Sequence, residues 1–287
     1  MTVKSRGCRT PKGAKPEALL NTWKEAAMSN RYFPPEILIH IVDNLHDEPQ
    51  ALRDCCLVAR SWVPLTRKHL FAVVRFRSPK DLETWKKTFP DPSNSPAYYT
   101  HSLWVQCPQI VTAADAEEGG WIRSFSHVVN LNVESSVDGL TDSEISLVPF
   151  HGISPVLKSL FIGSTLLPYS QIFGLIRSLP LLEDLSLVGY RIANDNDLDV
   201  GGPPTVAPPP SALALTGGLG LILLQGVGPI TRRLLGIPSG LHFKIFTVAW
   251  IQEGDLQWIN ALVVGCSDTL ERLGVMRFLL RIFWLLR

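Results

Sequence analysis

The chain has 287 residues, which is enough for one large domain or two smaller ones. Its hydrophobic share of 46% lies within the usual range of globular proteins and excludes a wholly disordered chain. The net charge of +1 provides no overall electrostatic field that would draw the protein to nucleic acid, so we predict no nucleic-acid partner.

The five cysteines point to a reducing compartment. They are Cys8, Cys55, Cys56, Cys107 and Cys266. Their number is odd and no Cys-x-x-Cys occurs, which argues against a disulfide framework and against a structural zinc site. We therefore expect the protein in the cytoplasm or the nucleus.

The N-terminal segment, residues 1–30, carries six basic and two acidic side chains. No apolar segment follows these charges, as a signal peptide would require. We expect a basic, disordered leader, and the alternatives are a nuclear-import patch or a nucleic-acid-binding arm.

Residues 33–76 are predicted to form three short helices followed by a strand. Pro34 and Pro35 suit the first turn of a helix, where the missing N–H has no partner to lose. Apolar side chains then recur at helical spacing and form one stripe on this first helix. They are Ile37, Leu38, Ile41 and Leu45.

The later elements of this segment also have local signals. Asp47-Glu48-Pro49 ends the first helix and begins the second. Ser61 is predicted to cap the third helix, which presents Trp62 and Leu65 toward the same centre. Residues 70–76 are rich in β-branched and aromatic side chains and are predicted to form a strand.

This helical segment is too small to bury its apolar stripe on every side. A unit of about 40 residues is marginal alone and usually needs a partner. We therefore expect an interface here. The alternative is that the stripe docks on the second half of the same chain.

Two stretches of the segment resemble the F-box-like motif, in particular that of the large fungal sets of F-box proteins. They are Phe33-Pro34-Pro35-Glu36-Ile37-Leu38-Ile39-His40-Ile41-Val42 and Leu57-Val58-Ala59-Arg60-Ser61-Trp62, with Leu70-Phe71 where the chain of that family enters a strand. The match covers about 40 residues, and its one mild departure is Phe33, where the family most often has leucine.

The resemblance implies binding to the Skp-family adaptor of a cullin–RING ubiquitin ligase. Carried over position by position, it implies a set of adaptor-facing residues. They are Phe33, Pro34, Ile37, Leu38, Ile41, Leu57, Val58 and Trp62. Large apolar side chains supply most of the binding free energy when they fill a desolvated pocket. The alternative for Leu57 and Trp62 is a place in the internal core.

Residues 77–96 are predicted to join the F-box-like segment, residues 31–76, to the rest of the chain. Ser78-Pro79-Lys80-Asp81 has the layout of a capping box with proline at the first helical position. A helix with one apolar face is expected to follow, and residues 91–96 have the composition of a loop.

Residues 97–287 contain a loose internal repeat, each copy with the apolar alternation of a short strand that buries one face. The central residues of the copies lie 25 to 33 residues apart. They are Leu103, Leu131, Leu160, Leu185, Leu213, Phe246 and Leu273. Apolar helical pieces such as residues 169–176 lie between the strands, and units this small must stack to bury their apolar faces.

This region resembles the degenerate leucine-rich-repeat portion that follows the F-box in many fungal proteins. Residues 179–185 and 266–273 carry the resemblance, although the repeat asparagine that usually follows the strand is missing. We expect a mixed α/β architecture, in which a short three-helix motif precedes an irregular curved array. Residues 195–210 depart from the pattern of a calcium loop and are predicted to be a flexible excursion from the array.

Two apolar segments leave alternatives open. Residues 211–227 are mostly apolar, but their glycines favour turns between buried strands over a membrane span. Residues 276–287 suit a hydrophobic helix that seals the last repeat, an interfacial membrane helix, or the remainder of an array that is cut short.

The sequence contains no motif of a catalytic, metal or cofactor site. We therefore expect neither an enzyme nor a cofactor. The predicted function is that of a substrate-recognition adaptor, which binds the Skp-family adaptor through its helices and an unknown client protein through its repeats. The alternatives are a leucine-rich-repeat interaction scaffold without a ligase and a membrane-associated protein.

Overall fold

The computed structural model describes residues 34–106, 111, 120–134, 146–167, 169–192, 215–223, 227–237 and 240–276. The basic leader, Phe33, the loop at 195–210 and residues 277–287 lie outside the described residues. Within these ranges the chain is a mixed helix and strand structure built on one sheet.

Eight parallel strands form the sheet, and their spatial order is their order along the chain. They are β1 (Val73–Phe76), β2 (Ser102–Val105), β3 (Asn130–Glu134), β4 (Ser159–Leu167), β5 (Asp184–Ile192), β6 (Gly218–Leu223), β7 (Ile245–Ala249) and β8 (Arg272–Met276). Each connection advances by one strand, as expected of small units that stack on their neighbours.

Helices precede the sheet and connect several of its strands. They are α1 (Pro35–Asn44), α2 (Pro49–Val58), α3 (Val63–Leu70), α4 (Pro79–Thr88), α5 (Tyr169–Arg177), α6 (Gly228–Leu235) and α7 (Leu256–Gly265). Among the described residues, no helix has both the length and the apolar character needed to cross a membrane.

Six of the seven repeat centres predicted from the sequence, all but Leu213, lie on one ladder of register partners across the sheet. The ladder of register partners runs through Val74, Leu103, Leu131, Leu160, Leu185, Leu219, Phe246 and Leu273. From β1 to β7 these side chains are buried, as are those two residues further along each strand. The predicted alternation, with one buried face, is therefore confirmed for most of the copies.

The prediction of Leu213 as a repeat centre is wrong. The ladder position belongs to Leu219 in β6, and Leu213 lies outside the described residues. The sequence around Leu213 and the sequence around Leu219 both show apolar alternation. Gly218 and Gly220 favour a turn around Leu219, because glycine has no side chain to pack in a strand. Part of the segment 211–227 is thus a strand of the sheet.

The start of α3 also differs from the prediction. Ser61 lies in the short 3-10 turn Arg60–Trp62 and does not cap the helix, which begins at Val63 without a side-chain cap. Pro64 accounts for this start, because proline is well tolerated only in the first turn of a helix.

The predicted starts of three other helices are confirmed. Pro35 and Pro49 occupy the first positions of α1 and α2. At α4, the Oδ2 atom of Asp81 accepts hydrogen bonds from the backbone N–H of Ser78 at 3.0 Å and of Arg77 at 2.8 Å. Local sequence therefore sets where these helices begin.

Candidate protein-binding surface

The helices α1 and α2 are held near α3 by very few buried side chains. Val42, Leu52 and Thr66 are almost completely buried, one from each helix. Val42 and Leu52 do not belong to the continuous apolar core that is built on the sheet. The helical unit, defined here as residues 34–70, therefore has a small core of its own.

Polar contacts connect the same three helices. The Nε2 atom of His69 on α3 lies 2.7 Å from Oδ1 of Asp43 on α1. The Thr66 hydroxyl donates to the carbonyl oxygen of Trp62, just before α3, at 3.0 Å. Its oxygen also lies 2.8 Å from Sγ of Cys56 on α2, within hydrogen-bond distance.

Most of the predicted adaptor-facing residues lie outside this small core. Leu57 is 86% exposed, Val58 is 67% exposed and Ile37 is 46% exposed. Pro34 and Ile41 are exposed as well. Concentrated apolar exposure of this kind marks a protein interaction site more often than it marks an ordinary surface.

The turn of α1 decides which of its side chains face inward. Leu38, Val42 and Leu45 lie three or four residues apart and share the face that contains the buried Val42. Ile37 and Ile41 lie together on one flank of that face and are exposed. The single stripe predicted for this helix is therefore divided between an inward face and an outward flank.

The remaining predicted residues are less exposed or lie outside the structure. Leu38 and Trp62 are half-buried, and Phe33 lies outside the described residues. Sequence reasoning missed Ile39, which is exposed on the flank of α1 opposite Ile37. Helix geometry could have identified it, because positions two residues apart are separated by about 200° around the helix axis, which places Ile39 and Ile37 on opposite sides of α1.

An aromatic cluster connects the helical unit to the sheet. Phe71 directly follows α3 and meets Trp85 and Phe89 edge-on, with ring centroids 5.9 Å and 6.0 Å apart. Trp85 also meets Phe76 of β1 at 5.7 Å and Phe125 at 5.8 Å. Such contacts fix the position of α3 relative to the first strand.

A second surface lies on the outer face of the sheet, opposite the buried ladder. Its central row of register partners runs through Arg75, Trp104, Asn132, Phe161, Ser186, Gly220, Thr247 and Gly274. The Arg75 guanidinium lies 4.8 Å from the centre of the Trp104 ring. Above β6, glycines leave a groove of about 340 Å³.

Among the described residues, the two titratable groups with a shifted pKa, Asp91 and Cys266, lie outside both surfaces. Within the described residues, no group of three or more His, Cys, Asp or Glu side chains could hold a metal ion. Cys55, Cys56 and Cys266 carry free thiols, and burial raises the pKa of Cys266. The hydroxyl and backbone N–H of Ser93 lower the pKa of Asp91 in an exposed loop.

Comparisons with models of protein families, with curated proteins and with solved structures find no match to this chain. The helical unit and the outer face of the sheet are the two surfaces whose chemistry bears on function. One exposes large apolar side chains, and the other contains an open groove.

Proposed function

We propose that the protein is a substrate-recognition adaptor of a Skp–cullin–F-box type ubiquitin ligase, with F-box-like helices followed by a leucine-rich-repeat-like array. The observation that carries the proposal is the exposure of Leu57, Val58 and Ile37 on helices whose own core is small. These are positions that the F-box resemblance assigns to the Skp-family adaptor.

The energetics of the helical unit favour a protein partner. Small units bury too little apolar surface to be stable alone, so a partner that covers the exposed side chains supplies the missing burial. A large apolar side chain that fills a desolvated pocket contributes roughly 2 kcal/mol or more to binding. Leu57 is available for such a role because it is 86% exposed.

The proposed mechanism is proximity. The helical unit docks on the ligase adaptor, the outer face of the array holds the client, and the chemistry takes place on a ubiquitin-charged enzyme. The aromatic cluster around Trp85 supports this arrangement, because it connects α3 rigidly to β1. In this mechanism the catalytic groups belong to that enzyme.

Capture of a purified Skp-family adaptor by the full chain tests the proposal. The double variant Ile37→Asp, Leu57→Asp should weaken capture by about 1,000-fold, since each side chain is expected to contribute roughly 2 kcal/mol. Leu256→Asp is the matched control, because this leucine is 58% exposed on α7, away from the helical unit. Unchanged capture by the double variant, with circular dichroism equal to that of the wild type, would overturn the proposal.

The groove on the outer face of the sheet favours a second candidate, an interaction scaffold without a ligase. The groove is built entirely from β4 to β7, so it can bind a client whether or not the helical unit has a partner. Affinity purification of the full chain separates the two candidates. Client proteins recovered without any cullin would favour the scaffold.

A further inference from the structure

We infer that the groove above β6 receives a lysine or arginine side chain of the client protein, with Asp184 as its counter-charge. The inference rests on the proposed function and deepens it, because it names the chemistry by which the array recognises a client. Three observations support it: the shape of the groove, the different chemistry of its two walls and the fixed orientation of the Asp184 carboxylate.

The shape of the groove fits one extended side chain. Its floor is the backbone of β6 at Gly218 and Gly220, which carry no side chains of their own, and the Asp184 carboxylate and the Ser186 hydroxyl reach toward them from β5. Neighbouring strands lie about 4.8 Å apart, so the backbones of β5 and β7, which border the groove, are roughly 10 Å apart. Ile222 lies further along β6 and lines the same groove.

The two walls of the groove differ in chemistry. The wall on β5 carries Asp184 and Ser186, and the wall on β7 carries Ile245 and Thr247. An aliphatic stem can lie against Ile245 while its polar end reaches the opposite wall. Lysine and arginine are the side chains that combine a long apolar stem with a charged end.

The Asp184 carboxylate is held in place by the backbone of β6. Its Oδ1 atom accepts a hydrogen bond from the backbone N–H of Gly218. Gly217 leaves room for it, because a Cβ atom at that position would clash with the same oxygen. Among the described residues no basic side chain pairs with Asp184, and the neighbouring Lys158 is paired with Glu183 at 2.7 Å.

Asp184 is also the only charged residue among the described residues that line the groove. A single fixed negative charge attracts a cation and repels an acidic side chain. Because the carboxylate is already oriented by Gly218, a cation that enters the groove needs no rearrangement of Asp184. The groove therefore selects for positive charge at one position of the client.

The test measures binding of the full chain, without any added partner, to an array of synthetic peptides of random sequence. The wild type should select peptides that contain lysine or arginine. Asp184→Asn should weaken binding of the selected peptides by about tenfold, as the loss of a charge-assisted hydrogen bond does. Asp184→Lys should shift the selection to peptides that contain aspartate or glutamate.

Two further variants serve as controls, one for the loss of an acidic charge elsewhere and one for blocking the groove. Asp268→Asn removes one exposed acidic charge from the turn before β8 and should leave the selection unchanged. Gly220→Val fills the groove and should abolish selection, although its Cβ atom must displace the Ser186 hydroxyl, which would lie 2.7 Å away. Should that variant misfold, Asp184→Asn has nearly the same shape as the native residue and still decides the outcome.

Three results would overturn the inference. They are a wild-type selection without basic residues, an unchanged selection by Asp184→Asn, and a dimer of the chain that dissociates on that substitution, which would assign the groove to a second copy. Adaptor capture is measured on the same preparations. Because the helical unit lies outside the groove, loss of adaptor capture bears on the proposed function, whereas loss of peptide selection bears on the groove.

Discussion

The buried carboxylate of Asp255 accepts hydrogen bonds from two of the segments that connect strands of the sheet. Its Oδ1 atom accepts a hydrogen bond from the backbone N–H of Val227 at 2.9 Å, and its Oδ2 atom accepts one from Gln252 at 3.0 Å. Val227 lies just before α6, and Gln252 lies just before the turn that leads into α7. The carboxylate thus joins the starts of two neighbouring helices.

This geometry predicts a large effect of removing the carboxylate. Asp255→Ala should lower the free energy of unfolding by about 2 kcal/mol or more, because two backbone N–H groups lose their acceptor in a buried site. Asp255→Asn retains one acceptor oxygen and should cost less. Urea denaturation of the full chain measures both values, and equal losses for the two variants would contradict this role.

At the scale of elements, the strands were largely predictable because each needs only a short local pattern. The centres at Leu103, Leu131 and Leu160 were predicted from alternation, and they are register partners in the structure. The position of β6 could not be predicted in the same way. The sequence offers two apolar stretches for this strand, around Leu213 and around Leu219, and local pattern does not distinguish them. The strand that pairs with β5 and β7 is the one that contains Leu219.

The candidate site was less predictable than the strands. The helical spacing of Ile37 and Ile41 indicates that they share a face, but spacing alone does not tell whether that face points to α3 or to solvent. The structure places Val42 inward, and this turns the two isoleucines outward. Likewise, the groove depends on β5, β6 and β7 lying side by side, which the local sequence around Asp184 does not encode.

Substitutions to alanine along the buried ladder are expected to lower the free energy of unfolding by different amounts, with the smallest loss in the last described strand. Leu273 on β8 is 48% exposed, whereas Leu160 on β4 is 1% exposed, because no described element packs beyond β8. Leu160→Ala should therefore cost about 2–5 kcal/mol of unfolding free energy, as cavity-forming substitutions do, and Leu273→Ala should cost less than about 1 kcal/mol. Urea denaturation compares them, and similar costs would show that Leu273 is covered in the folded protein.

At the scale of the whole molecule, the described residues form one large apolar core and a much smaller buried group in the helical unit. The sheet and its helices share one continuous core that extends from β1 to the residues just after α7. Among the described side chains of the helical unit, only Val42, Leu52 and Thr66 are buried, and Phe71, which directly follows the unit, packs against Trp85 and Phe89. Because local stability follows buried apolar contact, α1 and α2 are the elements that should open first.

Hydrogen exchange measured by mass spectrometry tests this hierarchy. In the free chain, backbone amides of α1 and α2 should exchange before those of β3 to β5, since few buried side chains oppose local opening of these helices. A bound Skp-family adaptor should slow exchange in α1 and α2 selectively, because binding to the folded helices stabilises them by mass action. The double variant Ile37→Asp, Leu57→Asp should retain the fast exchange in the presence of the adaptor and serves as the control. Uniform exchange rates across the free chain would mean that the helices and the sheet unfold as one cooperative unit, and the exposed side chains would then need a partner for binding alone and not for stability.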